Sequence, residues 1–389
     1  MFVIGFDHKI GSVIEYFYPE PDEKIIDENT KKALSFIGLP DGSHSVLSDY
    51  SFFIVPDANG KLYYGVSWFR QIRSSELTEK DDKISRSFVQ KSVWALSRIP
   101  IFATLMIKLL PTTHAYFKQK NFKDTKILEE FYGSVNKPGA STIKYSDLFT
   151  GFDLKRIVIY LKQNILTLLK LLLLEGKIVV YSQKASKVWT FVLSLFSLLP
   201  GASHFNYDNG KEIQNVISHY GAYGLPLKLF NNRCIFLPLS TLNDLDLLSE
   251  CKGLLIGCTN KLFMQYPTIK LDCIINLDDN EFDFKQTELC KLAKTHTSME
   301  KHFINSLIKQ LKEIATDLTP EQMYFWDSTD QDNMPDIESL DHADLWAKNG
   351  INSYIKQLLW RLSFAEICAR EQETPSFSKP KEIKCKKFG

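Results

Sequence analysis

Three short runs in the second half of the chain constrain its fold more than anything else. They are KIVVYS (177–182), KGLLIGCTN (252–260) and LDCIINLDD (271–279), all apolar without alternation. A strand that is apolar on both faces has to be covered on both faces. The segments between them supply that cover. ILTLLKLLLLEGK, KASKVWTFVLSLFSLLPG and TLNDLDLLSE carry helical spacing, and the second is stopped by Pro200-Gly201. With RCIFLPLS as a further short strand, the pattern predicts a mostly parallel α/β domain over 151–285.

The first 133 residues follow a different rule. MFVIGF and SVIEYFYPE, separated by the turn DHKIG, predict a hairpin, and KIIDENTKKALSFIGL predicts a helix. DYSFFIVP and KLYYGVSWFRQI are two more strands around the turn DANGK. KSVWALSRI then feeds a helix, IFATLMIKLL, with Pro100 suited to its first turn. Strands followed by a helix on one face predict an antiparallel α+β module. FKQKNFKDTKILEEFYGSV is expected to be helical. NKPGASTIKYSDLFTG, rich in turn residues, is expected to be a linker at 134–150.

From 286 to 370 the pattern is helical, in MEKHFINSLIKQLKEIATDL and ADLWAKNGINSYIKQLLWRLSFAEICAR, with an acidic, aromatic loop around Trp326 between them. An exposed tryptophan beside carboxylates would suit a protein partner; a tryptophan folded back onto the helices is the alternative. Residues 371–389 end in KPKEIKCKKFG and read as a basic, disordered tail whose lysines suit peripheral contact with an anionic membrane.

Composition bounds the partners. A net charge of +1 over 389 residues offers no field for nucleic acid. The cysteines number seven, none in a CxxC pair, which favours buried thiols in a reducing compartment over disulfides or zinc. The N-terminus lacks the pattern of a secretory signal, and no Asn-x-Ser/Thr acceptor occurs. The most apolar stretch, 157–180, is interrupted by Lys162, Gln163, Asn164, Lys170 and Glu175, so no run of about 18 apolar residues survives to span a bilayer. A cytoplasmic chain, peripheral to membranes at most, is the expectation.

Motifs of covalent, metal or nucleotide chemistry do not emerge. The turn after the first parallel strand, SQKASK, has no glycine with which to approach a pyrophosphate; Lys184 and Lys187 at that helix start either face an anion or are solvated. CTNKLF has the Asn-Lys of a guanine-reading motif, but Phe263 stands where its aspartate belongs. The histidines form no HxH or HExxH, and no serine sits in GxSxG. His114 reads as half-buried, and the pairs Asp244/Asp246 and Asp278/Asp279 as solvated turns. No catalytic residue, metal, cofactor or small-molecule substrate is expected.

The order of parts, together with GFDHKIGSVIEYFYPE, LPDGSH, LYYGVSWFRQI, RSFVQKSVWALSRIPIF and THAYF in the first half, resembles the DENN-domain family. YSQKAS, GLPLKLFNNRCIFLPLSTLNDLDLLS and GLLIGCTNKLF in the second half extend the resemblance, over roughly 3–280, to its late secretory pathway branch, the Avl-nine-like proteins. The resemblance implies a tripartite fold: a longin-like antiparallel module (1–133), a central α/β domain (151–285) and a helical part (286–370). It implies a role in late secretory membrane traffic, on Golgi or secretory vesicle membranes. DENN proteins bind Rab-type small GTPases and many are guanine-nucleotide exchange factors; a non-catalytic scaffold or GTPase effector is the alternative. QKSVWALSRIP then reads as a central strand with Trp94 and Leu96 inward, while Arg86, Lys91 and Arg98 line a partner surface or pair with nearby carboxylates. By polarity, the remaining partner-contact candidates are Asp41 and His44 in LPDGSH, and Lys184 and Lys187.

Overall fold

A computed structural model describes residues 1–7, 9–20, 26–39, 47–57, 62–78, 87–137, 152–200, 229–230, 234–266, 268–315 and 341–373. Two five-stranded sheets organise them. The first comprises β1 (Phe2–Asp7), β2 (Gly11–Phe17), β3 (Ser48–Pro56), β4 (Leu62–Arg73) and β5 (Phe88–Ser97), in the order β2-β1-β5-β4-β3. Every neighbouring pair is antiparallel. β5, the strand of the SVWALS run, is central as expected: Trp94 sits opposite Phe2 on one side and Ser67 on the other.

This sheet is covered on both faces, where the sequence pattern anticipates a helix on one. Phe53, Phe69 and Trp94 turn to one face with Leu34 of α1 (Glu28–Ile37). Val66, Trp68, Val93 and Ala95 turn to the other, with Phe102, Met106 and Leu109 of α2 (Phe102–Lys118). The physical reason is that β4 and β5 carry large apolar groups at consecutive positions, VSWF and SVWA, so neither face is fit for water. Two further details differ from expectation. Pro100 precedes the helix, which starts at Phe102 after Ile101, and Pro111 lies inside it on an exposed position. The stretch 117–135 is not one helix: α2 ends, Gln119 Nε2 donates to the carbonyls of Asn121 (2.7 Å) and Asp124 (2.6 Å), and α3 (Lys126–Val135) begins.

The second unit opens with α4 (Leu154–Leu161) and α5 (Asn164–Leu173), broken apart at Lys162, whose backbone is left-handed with φ 51°. The sheet that follows contains β6 (Lys177–Tyr181), β7 (Cys234–Leu237), β8 (Gly253–Cys258), β9 (Cys273–Asn276) and β10 (Glu281–Phe284), ordered β10-β9-β6-β8-β7. β7, β8, β6 and β9 run parallel to one another, as the apolar runs predict. β10 is a short antiparallel edge, EFDF, too polar for sequence patterning to single out. Helices α6 (Ala185–Ser197), α7 (Leu245–Glu250) and α8 (Leu262–Gln265) connect the strands. Gly257 lets α6 lie close on β8: a Cβ there would stand 2.2 Å from both the Pro238 carbonyl oxygen and Val188 Cγ1.

Three helices complete the described residues: α9 (Glu288–Ala293), α10 (Ser298–Ile314) and α11 (His342–Glu373). α10 begins with a capping box between Thr297 and Glu300. Residues 371–373, expected in the tail, are the last turn of α11; residues 374–389 lie outside the described residues, as do the loop around Trp326 and most of the expected linker. α11 packs on α4 and α10 and buries Ala347, Ile351 and Ile355 in the core. Charged groups are buried at its base. Lys155 donates its backbone N–H to Asp344 Oδ1 (2.8 Å) and its ammonium to Asp341. The Lys348 ammonium donates to the Ser197 carbonyl oxygen (2.6 Å), and burial lowers its pKa to about 7. Burial, with Asp153 and Asp341 nearby, holds the Asp344 carboxyl well above its usual range.

Candidate functional site

The two sheets meet at the start of α6. This helix begins in the sequence SQKAS, where Lys184 occupies the cap position and offers no side-chain acceptor to the first N–H groups. Those groups are orphaned unless another element supplies an oxygen. β3 of the first sheet supplies it. Asp49 Oδ2 accepts from the Ala185 N–H at 2.8 Å and Oδ1 from the Ser186 N–H at 3.3 Å. The anion at this helix N-terminus, where an α/β nucleotide-binding fold places phosphate, is therefore the chain's own carboxylate. Burial pushes the Asp49 carboxyl up, opposed by its hydrogen bonds from Ser186, Tyr50 and Ala185.

Aromatic packing continues the junction. Trp189, one turn into α6, donates its indole N–H to the Tyr50 carbonyl oxygen (3.1 Å) and lies 3.7 Å from the Phe52 ring centroid. Tyr50 stacks on Trp68 at 5.3 Å, and Phe52 on Phe102 at 5.0 Å. Burial raises the Tyr50 hydroxyl far above its ordinary pKa. A single apolar cluster consequently runs from Val3 and Phe52 through Trp189 to Ile355.

Beside the junction, the carboxyl ends of the parallel strands are tied down. Asp278, after β9, accepts from Ser182 Oγ (2.6 Å) and from the Gln183 N–H (2.8 Å). Asp244 serves as a cap partner for Thr241 and accepts from Ser240 Oγ at 2.9 Å. These aspartates hold turns in place by hydrogen bonds rather than standing free in solvent. His114 is half-buried, edge-on to Trp68 at 6.0 Å. Cys251, Cys258, Cys273 and Cys290 are buried free thiols, and burial pushes the thiols of Cys251, Cys273 and Cys290 up.

The sequence-derived candidates divide between two places. Lys184 and Lys187 are half-buried at the start of α6, and Gln183 and Leu47, the latter two residues before Asp49, are exposed. Asp41 and His44 lie outside the described residues. Arg86 is also outside them. Lys91 lies within β5 of the first sheet, and Arg98 follows directly after it at an exposed position. Lys91 is 7% exposed, its ammonium paired with Glu15 and 5.1 Å from the Phe122 ring centroid. Arg98 pairs with Asp57 at 2.8 Å and covers the Tyr63 ring at 3.6 Å. Both thus pair with carboxylates, one of the two roles the sequence left open for them. Asp49, Tyr50 and Trp189 were not singled out from the sequence. Their one signal is the missing cap of α6, which required an acceptor from elsewhere.

An antiparallel sheet docked by its edge strand onto the first helix of a parallel sheet, with helices behind, is the two-sheet layout that the sequence resemblance implies. Comparison with known proteins agrees. A family model for the transport protein Avl9 matches residues 1–359. The late secretory pathway protein AVL9 of Saccharomyces cerevisiae is 28% identical over 84% of this chain, and its fission-yeast counterpart in Schizosaccharomyces pombe is 26% identical over 95%. The matched part is 49% of the length of the first protein and 78% of the second. The protein DENND6A of Gallus gallus is 26% identical over 28% of this chain and 22% of its own length. By its near-complete family match and its two-sheet architecture, the chain belongs to the Avl9 transport-protein family.

Proposed function

We propose that this protein acts in late secretory membrane traffic as a guanine-nucleotide exchange factor for a Rab-type small GTPase, which docks along the rim of the junction between the two sheets. The observation that carries the reading is the Asp49–α6 contact. It fills the anion position of the α/β unit from within, which suits a surface that presents itself to a protein better than one that takes a nucleotide. Leu47, Gln183, Lys184 and Lys187 supply an apolar and basic rim there, and Asp41 and His44 are proposed to extend it.

An exchange factor needs no nucleophile of its own. It binds the nucleotide-free GTPase more tightly than the nucleotide-bound form, and by reciprocity weakens nucleotide binding by the same factor. The test is release of a fluorescent GDP analogue from a panel of Rab-type GTPases on addition of excess GTP. Release that accelerates with the concentration of this protein for one GTPase, and is slowed by Lys184→Glu with Lys187→Glu, supports the reading. Unchanged release across the panel refutes it; preferential capture of GTP-loaded GTPase would point to an effector or scaffold.

A further inference from the structure

Helix α11 changes character along its length. Its first part buries Ala347, Ile351 and Ile355 against the body. From Trp360 to Ile367 every residue is exposed. These exposed residues are not polar: Trp360, Leu362, Phe364 and Ile367 are 68%, 59%, 57% and 55% exposed. Trp360, Phe364 and Ile367 lie at i, i+4 and i+7 and so share one face, on which the Trp360 and Phe364 rings stack at 5.8 Å. Residues 360–373 make about 21 Å of helix leaving the protein surface. Single exposed apolar residues are ordinary, whereas an aromatic-aliphatic face on a projecting helix marks a binding element.

The chain next to this helix identifies the occupant. Residues 374–389 contain Lys379, Lys381, Lys384, Lys386 and Lys387 against one acidic residue, Glu382. The helix end itself is nearly balanced, with Arg361 and Arg370 against Glu366, Glu371 and Glu373. Attraction to an anionic surface thus resides in the lysines, and insertion in the tryptophan and phenylalanine. Neither signal is strong alone; an apolar face joined to a polybasic segment is the combination that holds a protein on a bilayer. No helix among the described residues is long and apolar enough to cross a membrane, so this contact lies in the interface plane.

We infer that the end of α11 is a membrane-surface anchor that seats Trp360, Phe364 and Ile367 in the headgroup region of an anionic bilayer, an occupant matched in charge by the lysines of the sequence 374–389. The anchor is independent of exchange activity and stands or falls separately from it.

The test is co-sedimentation of the full chain with vesicles of phosphatidylcholine alone and of phosphatidylcholine containing phosphatidylserine. The expected result is binding to the phosphatidylserine vesicles that falls with added salt. Trp360→Ser with Phe364→Ser lowers it by about ten-fold or more. Serine in place of the five lysines lowers it by about five-fold per lysine at low salt. Met299→Ser, at an exposed position on α10, leaves it unchanged, and because Trp360 and Phe364 touch solvent the double variant keeps the wild-type circular dichroism and melting midpoint. Equal sedimentation with both vesicle types, or a double variant that binds as wild type does, overturns the inference. So does a wild-type dimer that the double variant converts to monomer without any vesicle binding, since the face would then belong to a second copy of the chain.

Discussion

The junction between the two sheets turns on one carboxylate, and its removal is the most informative perturbation. Asp49→Ala deletes the acceptor for the Ala185 and Ser186 N–H groups, held at 2.8 and 3.3 Å. Loss of a capping side chain costs about 1 kcal/mol, within a range of roughly 0.5–2. Loss of a negative charge at a helix N-terminus costs about 0.3–1 kcal/mol more. Burial acts the other way. The folded-state pKa of Asp49 lies above its ordinary value of 3.8, so the carboxylate form weakens the folded state progressively as pH rises from 3.8 through the folded value. The net expectation is a loss of about 1–2 kcal/mol for Asp49→Ala near neutral pH, and a smaller loss, under about 1 kcal/mol, for Asp49→Asn, which keeps an acceptor without a buried charge. Because a chain of this size need not unfold in one step, the local reporter is amide exchange at Ala185 and Ser186. These amides should exchange about ten-fold faster in Asp49→Ala and less than about five-fold faster in Asp49→Asn. Unaltered exchange in Asp49→Ala, with α6 still formed, would refute the argument that the first sheet caps the second.

Three further outcomes follow from packing and charge. Gly257→Ala places a Cβ against the Pro238 carbonyl and Val188, and is expected to cost about 1–3 kcal/mol or more, read from the urea midpoint. Lys91→Met keeps the buried stem and leaves Glu15 half-exposed to water, so it should cost only about 1 kcal/mol, whereas Lys91→Ala, which also loses the packing, should cost more; equal losses would contradict that division. Lys348 has a folded pKa of about 7 against an ordinary 10.5, so the unfolded chain binds more protons between those values and stability rises with pH across that window. Lys348→Met should remove that contribution, of up to about 1.4 kcal/mol per pH unit, and identical pH dependence of the urea midpoint in both proteins would show that Lys348 is not the cause.

How much of this was legible beforehand depended on whether the signal was local. The apolar runs KIVVY, GLLIGC and CIIN announced parallel strands because nothing but double coverage suits them, and all three are parallel neighbours. The centrality of the SVWALS strand was legible from the family resemblance and from Trp94. The edge strand β10 was not, since four residues of alternating charge and phenylalanine look like a loop until β9 is beside them. The break between α4 and α5 rests on a lysine in a left-handed conformation, which no composition rule expects. Lys91 looked like a surface cation because charge in sequence carries no information about depth, and the carboxylate partners of Lys91 and Arg98 are 76 and 41 residues away in the chain.

The sequence by itself determined the order of an antiparallel module, a mostly parallel α/β sheet and a helical part, most of their strands and helices, and the absence of the glycine turns that a phosphate site requires. These are consequences of periodicity and of backbone sterics, which act over a few residues. Only the tertiary structure decided what the parts do to each other: that Asp49 completes a helix it is 136 residues away from, that Trp189 closes the first sheet's core, and that the end of α11 leaves the body with its apolar face uncovered. Such pairings are set by which surfaces meet once both sheets have folded.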